Sequence, residues 1–545
     1  TGQSRQVTFF KEYDVHFPSI GPTDIVFECA GRLYLFNLET EKYRPVSIGV
    51  VTDRATLKPR LENVSGHIRH AAISPSGKRV LFGARGEVFS APAEHGVVRN
   101  LTRTPGVAER YPTWSPDGKL IAFFSDSTGE YELTVIPAVS TNLLGTGAAS
   151  QQTLTRLGPG FRYPPQWSPD SKKILWIDQA MRISVYDFDA KTNKVIDRQM
   201  WMYHGALSSF RPSWSSDSRW IAYAADLENR NTCIVLYDYS NSQRHQVTSG
   251  FYDDTEPVFD PDGKYLFFRT ARHFQPIYSD LDSSWIYPNS TLLAAVPLRK
   301  DVPSPLAPRN DEEIQKDKDK EKKKPEDKPS DSPKPEEKKE ADKPSPDNKD
   351  GDGKDQRRDA EKDAKDATKD AAPAKTDEKK TEKKEEQKPK AVEIDIDGFE
   401  SRLVLLPPKA GRYANLCAIS GKLIYRVLPR TGVDGGPSPV EFYDLEKRES
   451  KRILDDADRI ELSANREKLL VRKDATYAII EPKEGQRLDK RIATASFEAL
   501  IDPAAEWRQI FHDAWRLERD FFYDPDLHGV DWNKMRDRYL KLLAD

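Results

Sequence analysis

The chain has 545 residues, with 85 Lys and Arg against 88 Asp and Glu and a formal net charge of −3. That length exceeds a single hydrophobic core, so two or more domains are expected, and the near-neutral balance leaves no basic footprint for nucleic acid. The three cysteines, Cys29, Cys233 and Cys417, are too far apart and odd in number, which argues against a disulfide framework or a zinc module. Each sits in an apolar run and reads as a small buried hydrophobe. No apolar run is long enough to cross a bilayer.

Residues 1–56 read as strands. Val7–Phe10, Asp24–Cys29 and Leu33–Phe36 are the strongest, and together they make one blade's worth of sheet. A lone blade cannot bury both faces and needs neighbours.

From about residue 62 a turn recurs. Its clearest copy is Trp114-Ser115-Pro116-Asp117-Gly118-Lys119. Others begin at Ile73, Trp167, Trp214 and Phe259, and worn copies stand at Ile419 and Leu462. Clear copies lie roughly 40 to 55 residues apart, the period of a propeller or similar array. Pro presets φ at the second position of a type I turn, Asp or Ser suits the third and Gly the fourth. An apolar strand follows each copy, as in Leu120–Phe124 and Trp220–Ala224, so each is a hairpin between strands buried on both faces. Seven units result, starting near His67, Tyr111, Tyr163, Pro212, Glu256, Asn415 and Arg459. Seven four-stranded blades is a common propeller size.

The fifth unit is interrupted. From 308 to 390 the chain is Lys, Glu, Asp, Pro, Ser and Ala, and no Phe, Tyr or Trp occurs between Tyr287 and Phe399. Such a stretch cannot bury enough apolar surface to order itself and is expected to be disordered.

After Ile501 the apolar period changes from 2 to 3.6. Trp507, Ile510, Phe511, Ala514 and Trp515 share one helix face, with Pro503 at the start. A loop over 523–530 leads to a second helix capped by Asp531, which aligns Met535, Tyr539, Leu542 and Leu543. Both apolar faces call for a partner.

Few residues look chemical. His528 lies in a loop with Asp524, Asp526 and Asp531, but a base needs a nucleophile in reach, so it reads as a loop residue. His512 reads as surface or interface. His67 and His70, three apart in a strand, would point to opposite faces. Asp253-Asp254 reads as turn chemistry, Asn100-Leu101-Thr102 as an unused sequon, and Asp126 and Glu130 as hairpin geometry. No Gly-x-Ser-x-Gly elbow and no phosphate-cradling Gly-Lys-Ser/Thr motif occurs. The site therefore contains no assigned catalytic, cofactor or metal residue, and no cofactor is expected.

Four stretches, Ala84–Phe89, Arg99–Arg110, Ser125–Leu133 and Phe521–Asp524 through His528–Trp532, resemble the tricorn protease family of self-compartmentalising serine peptidases. The Ser-Pro-Asp-Gly turn itself is shared with TolB-like propellers and prolyl-oligopeptidase relatives. The charged insertion departs from the archaeal pattern.

The resemblance implies a mainly β fold: a seven-bladed β-propeller (57–500) preceded by the end of a six-bladed one (1–56) and followed by the start of a helical catalytic subdomain (501–545). It implies a serine endopeptidase or oligopeptidase acting on oligopeptides and assembled as a homo-oligomer, a hexamer in the family. The seven-bladed propeller would filter substrates through its axial channel. The family's catalytic Ser, His and orienting carboxylate fall beyond Asp545, so this stretch alone is expected to be inactive. The archaeal type is cytoplasmic, whereas bacterial relatives include exported proteins. The alternative is a non-enzymatic TolB-like scaffold that binds protein or peptide.

Overall fold

The recurrent turn is a small hydrogen-bonded device. In the computed structural model, Ser115 Oγ donates to Asp117 Oδ1 (2.6 Å) and accepts from Leu120 N (2.9 Å). Gly118 N bonds Ser115 O (2.8 Å). Ser168, Ser215 and Ser463 repeat this, with Asp170, Asp217 and Asn465 as acceptors. The fourth position is left-handed each time, and Gly77, Gly118 and Gly263 suit it. Ser171 (φ 60°) and Ser218 (φ 62°) stand there without that freedom. Their hydroxyls accept from the backbone of the preceding blade's turn, Ser171 from Asp117 N and Ser218 from Asp170 N, both at 3.0 Å. The turns are thus stitched from blade to blade.

The structure describes residues 2–138, 150–199, 207–278, 285–286, 289–309, 390–433 and 435–544. Apart from Pro308 and Arg309, these belong to the unit Thr1–Ala307 with Pro389–Asp545. The second unit, Pro308–Lys388, is the charged stretch, and its expected disorder lies outside the described residues apart from Pro308 and Arg309.

Seven antiparallel sheets follow one another. The first blade is Ile68–Ile73, Arg79–Ala84, Glu87–Pro92 and Arg99–Asn100. The second, third and fourth run Glu109–Thr153, Gln166–Arg198 and Ser213–Gln246, and the sixth Tyr413–Leu454. The fifth spans Asp254–Leu405, its last two strands flanking the charged stretch. The seventh has three strands, Arg459–Leu462, Leu469–Lys473 and Thr476–Ile480, with a single bridge to Arg491 in place of a fourth.

A separate apolar cluster sits between every two consecutive blades. Leu81 and Val88 meet Ile121 and Phe123, and Phe124 meets Trp176. The series continues through blades three to seven. It closes where Phe82 and Phe89 of the first blade pack on Leu470, Tyr477 and Phe497. A two-stranded ribbon, Arg60–Asn63 with Glu498–Ile501, reinforces that closure. The fold is a seven-bladed β-propeller.

Before it lies a four-stranded sheet, Val15–Ile20, Asp24–Cys29, Arg32–Asn37 and Tyr43–Pro45. Phe27, Cys29 and Phe36 fill one side, while Phe17 stays 83% exposed. This is one blade without a neighbour on that side.

After the propeller come α1 (Pro503–Phe521) and α2 (Trp532–Leu540). Asp502 caps α1 through Ala504 N and Ala505 N, and Asp531 caps α2 through Lys534 N (3.0 Å). Trp515 and Trp532 lock the pair, each indole donating to the other's carbonyl at 2.9 Å. The expected burial of α1 is inverted. Trp507 (48%) and Ile510 (54%) are exposed, and the helix buries Pro503 and Arg516 instead. The reason is that α1 meets the propeller through its charged face.

Candidate functional site: the inner ring and the helix seated on it

The first strand of each blade is innermost. These strands touch from blade one to two and from four through seven back to one. Their register breaks at one point, between Ile68 and His70, Arg110 and Thr113, Thr255 and Val258, and Ala414 and Cys417. At the break Tyr111, Glu256 and Asn415 are left-handed (φ 59°, 50° and 55°). Tyr111 and Glu256 also precede proline, which favours extended backbone. Bulges of this kind re-aim a side chain, and the strain of about 1–3 kcal/mol per residue persists only where the surroundings impose it.

At or just before the inner strand of each blade stands one residue of interest: Arg69, Tyr111, Tyr163, Arg211, Glu256, Asn415 and Arg459. Glu256 pairs with Arg269 (3.4 Å) and Asn415 accepts from Arg426 (2.9 Å). Among the described residues the side chains of Arg69, Arg211 and Arg459 have no ion-pair or hydrogen-bond partner. They still sense each other's surroundings. Burial, with help from Arg459, Arg110 and Arg69, pushes His70 down to about 4, so it is neutral at pH 7. Its ring lies 4.3 Å from Tyr111. Burial pushes Glu461 up to about 7 against the pull of Arg459 and Arg211. The ring is therefore cationic and aromatic.

The polar face of α1 is laid across blades one and two. Arg85 holds Glu506 through two contacts (2.7 and 2.9 Å) and Glu62 at 2.9 Å. Arg110, next to Tyr111 in the ring, pairs with Asp513 (2.6 Å), whose other oxygen accepts from Tyr131 Oη (2.7 Å). Arg516 meets Asp126 at 2.5 Å and donates to Gly129 O (2.7 Å). Arg519 grips Glu130 (2.5 and 2.9 Å). Both Arg110 and Arg516 stack on Tyr131, at 4.9 and 4.8 Å. Asp126 and Glu130 are thus ion-pair partners of α1, which corrects their reading as hairpin geometry.

Other expectations change too. His67 ends a 3-10 turn, and it borders the same cleft of about 360 Å³ as His70, rather than the opposite face of a strand. Asp254 is buried and paired with Arg272 (2.7 Å), so it is more than turn chemistry. The Asn100 amide donates to Glu87, and Thr102 is buried with its Oγ1 accepting from Val88 N (3.1 Å). His528 bonds Tyr523 Oη (2.5 Å) and lies 3.2 Å from Asp524, which also accepts from His528 N. Those contacts fix a left-handed loop residue (φ 54°). His512 lines a second cleft of about 830 Å³ between α1, α2 and the second blade. Among the described residues no group of His, Cys, Asp and Glu is placed to hold a metal, and no helix is long and apolar enough to cross a membrane.

The description of the Tricorn protease second beta propeller domain matches residues 68–347. The chain belongs to the tricorn protease family. The Tricorn protease C1 domain matches 503–545, the two helices. Tricorn protease homolog 1 of Streptomyces coelicolor is 24% identical over 541 residues, covering 95% of this chain and 44% of that protein. The Tricorn protease homolog of Saccharolobus solfataricus is 22% identical, covering 99% and 42%. The crystal structure of the tricorn protease superposes with a TM-score of 0.72 over the whole chain and 45% of its own, at 18% identity. The chain spans about half the length of the curated relatives it matches.

The geometry gives the tricorn resemblance a physical content. Arg85, Arg110, Asp126, Glu130 and Tyr131 all lie in the three propeller stretches that carry it, and together they form the seat of α1. Sequence reasoning missed this seat. The signal was there in Glu506, Gln509, Asp513, Arg516 and Asp520, a polar stripe with the same helical period as the apolar one.

Proposed function

We propose that this chain is the substrate-handling part of a tricorn-type serine peptidase that degrades oligopeptides. In this reading residues 1–56 complete a first propeller, 57–500 form the gating propeller, and 501–545 begin the helical catalytic subdomain. Peptides pass the inner ring and reach a Ser–His site built by sequence outside residues 1–545. There an activated serine forms an acyl-enzyme and backbone N–H groups stabilise the oxyanion. The protein works as a homo-oligomer, a hexamer by analogy with the family. We place it in the cytoplasm, with export the alternative for a bacterial member.

The observation behind this reading is the ring. Three guanidinium groups without partners, a neutral His70 and two tyrosines suit a passage that handles peptides, which carry a carboxylate, backbone dipoles and apolar side chains. Arg110 links ring to helix, because it stands beside Tyr111 and pairs with Asp513.

The test is labelling with a fluorophosphonate. The longer native polypeptide is expected to label on one serine and to hydrolyse oligopeptides, while residues 1–545 alone do neither. A longer polypeptide that does not label leaves the non-enzymatic scaffold as the reading. Hydrolysis by residues 1–545 that serine-directed inhibitors block would also overturn the proposal.

A further inference from the structure

The cleft of about 830 Å³ beside α1 has a chemistry of its own. Its floor is α1, one wall is α2, and the other is the second blade's turn at Asp126–Glu130 with Pro159. Arg508 and His512 stand one helical turn apart on the floor, and Asn533 and Arg536 project from the opposite helix.

The donors and acceptors here are unequal. Asp126 is taken up by Arg516, Gln509 and Ala108 N. Glu130 is taken up by Arg519. Arg508 and the His512 ring have no hydrogen-bond or ion-pair partner among the described residues, and the His512 ring packs edge-on against Phe511 at 5.7 Å. Arg536 pairs only with its chain neighbour Asp537 while stacking on Trp515 at 4.9 Å. The cleft offers guanidinium, imidazole and amide donors, and its carboxylates are already satisfied. Its chemical complement is an anion with several acceptor oxygens.

We propose that this cleft is an anion-binding site in which Arg508, His512, Asn533 and Arg536 hold a carboxylate or oxyanion group. The cleft lies off the inner ring, so the site stands whether or not the peptidase reading holds. Burial first, and then Arg516, Arg536 and Arg508, hold His512 below its ordinary value, opposed by Asp126. An anion between them would reverse that influence, which makes His512 a reporter.

The experiment is a titration of the His512 ring by NMR in the 545-residue chain, assigned with His512→Asn. Inorganic phosphate, an N-acetylated dipeptide with a free carboxylate, and its C-terminal amide are the probes. The expected result is a saturable upward shift of the His512 midpoint, competed by chloride, with affinity about tenfold weaker in Arg508→Gln and retained in Arg508→Lys. If the free dipeptide acts and its amide does not, the occupant is a peptide end. If only phosphate acts, it is a free oxyanion. No shift with any probe, or equal shifts in Arg508→Gln and Arg536→Gln, would overturn the site. An unchanged melting temperature in both variants verifies their folding.

Discussion

Arg516 of α1 and Asp126 of the second blade meet at 2.5 Å with both side chains 4% exposed. Two charges so deep in protein are costly unless their oxygens and N–H groups are answered, and in this pair only Arg516 Nε is left without a partner. Asp126 Oδ1 accepts from Ala108 N (2.7 Å), and Arg516 also reaches Gly129 O (2.7 Å). Arg516→Met removes one partner and leaves a buried carboxylate, so a loss of about 3–5 kcal/mol is expected. The loss should be localised, with hydrogen exchange rising across 503–540 and staying low in blades three to six. Asp126→Ala also orphans Ala108 N, so it should be worse than Asp126→Asn by about 1 kcal/mol.

Ionic strength offers a second check. The contacts Arg85–Glu506 and Arg519–Glu130 are half-buried, so salt screens them more than it screens the Arg516 pair. Raising salt about twentyfold, from roughly 0.05 to 1 M, over which the Debye length falls to about 3 Å, is expected to increase exchange in the first and last turns of α1 before its centre. Uniform exchange along α1 would mean that apolar packing holds it.

Two buried groups set opposite pH limbs. Burial pushes Glu109 from its ordinary 4.5 up to about 8. The folded chain keeps this proton where the unfolded chain releases it, so stability falls as pH rises from 4.5 to 8. His70 is pushed from 6.5 down to about 4. The folded chain resists protonation there, so stability falls as pH drops from 6.5 to 4. Glu461, pushed up to about 7, contributes to the same limb, so Glu109→Gln is expected to reduce the first limb, most of all between about pH 7 and 8, and to leave the second, as read from urea midpoints across pH.

The turn stitching predicts an order of variants. Ser218 is left-handed and 3% exposed, and its hydroxyl accepts from Asp170 N. Ser218→Gly loses that bond but relieves the backbone, so it should stay within about 1 kcal/mol of the parent. Ser218→Ala loses the bond and keeps the strain, so it should fall about 2 kcal/mol below. An alanine variant as stable as the glycine one would remove the role assigned to the hydroxyl.

The blades were legible because the turn has a mechanism. Trp114-Ser115-Pro116-Asp117-Gly118-Lys119 specifies a hairpin, and the apolar strand after it specifies burial on both faces. The worn copies at Ser420 and Ser463 were legible for the same reason, the latter through the same Ser–Asn bond. The helix pair was legible from its period and from its caps Asp502 and Asp531. Which face of α1 docks was not. Periodicity marks the apolar stripe of Trp507 and Ile510, yet binding partners decide burial, and Arg85, Arg110, Asp126 and Glu130 lie some 380 to 420 residues away along the chain. The ring was half legible. The unit starts at Tyr111, Glu256 and Asn415 are ring positions, but a left-handed bulge at a bulky residue leaves no propensity signal, because it is imposed by neighbouring strands.

The most direct test blocks the ring. Cys29 and Cys233 are buried, and burial pushes the Cys417 thiol up to about 12, so all three should resist maleimide. Arg459→Cys in the longer native polypeptide offers one reactive thiol on the ring. Arg459 has no partner among the described residues, so the variant itself should melt within about 0.5 kcal/mol of the parent. Maleimide-polyethylene glycol at that thiol is expected to cut turnover of oligopeptides at least tenfold while leaving turnover of a single-residue chromogenic substrate within about twofold (roughly 1.4 kcal/mol separates tenfold steps). Equal turnover of oligopeptides before and after the block would contradict the ring as the peptide path.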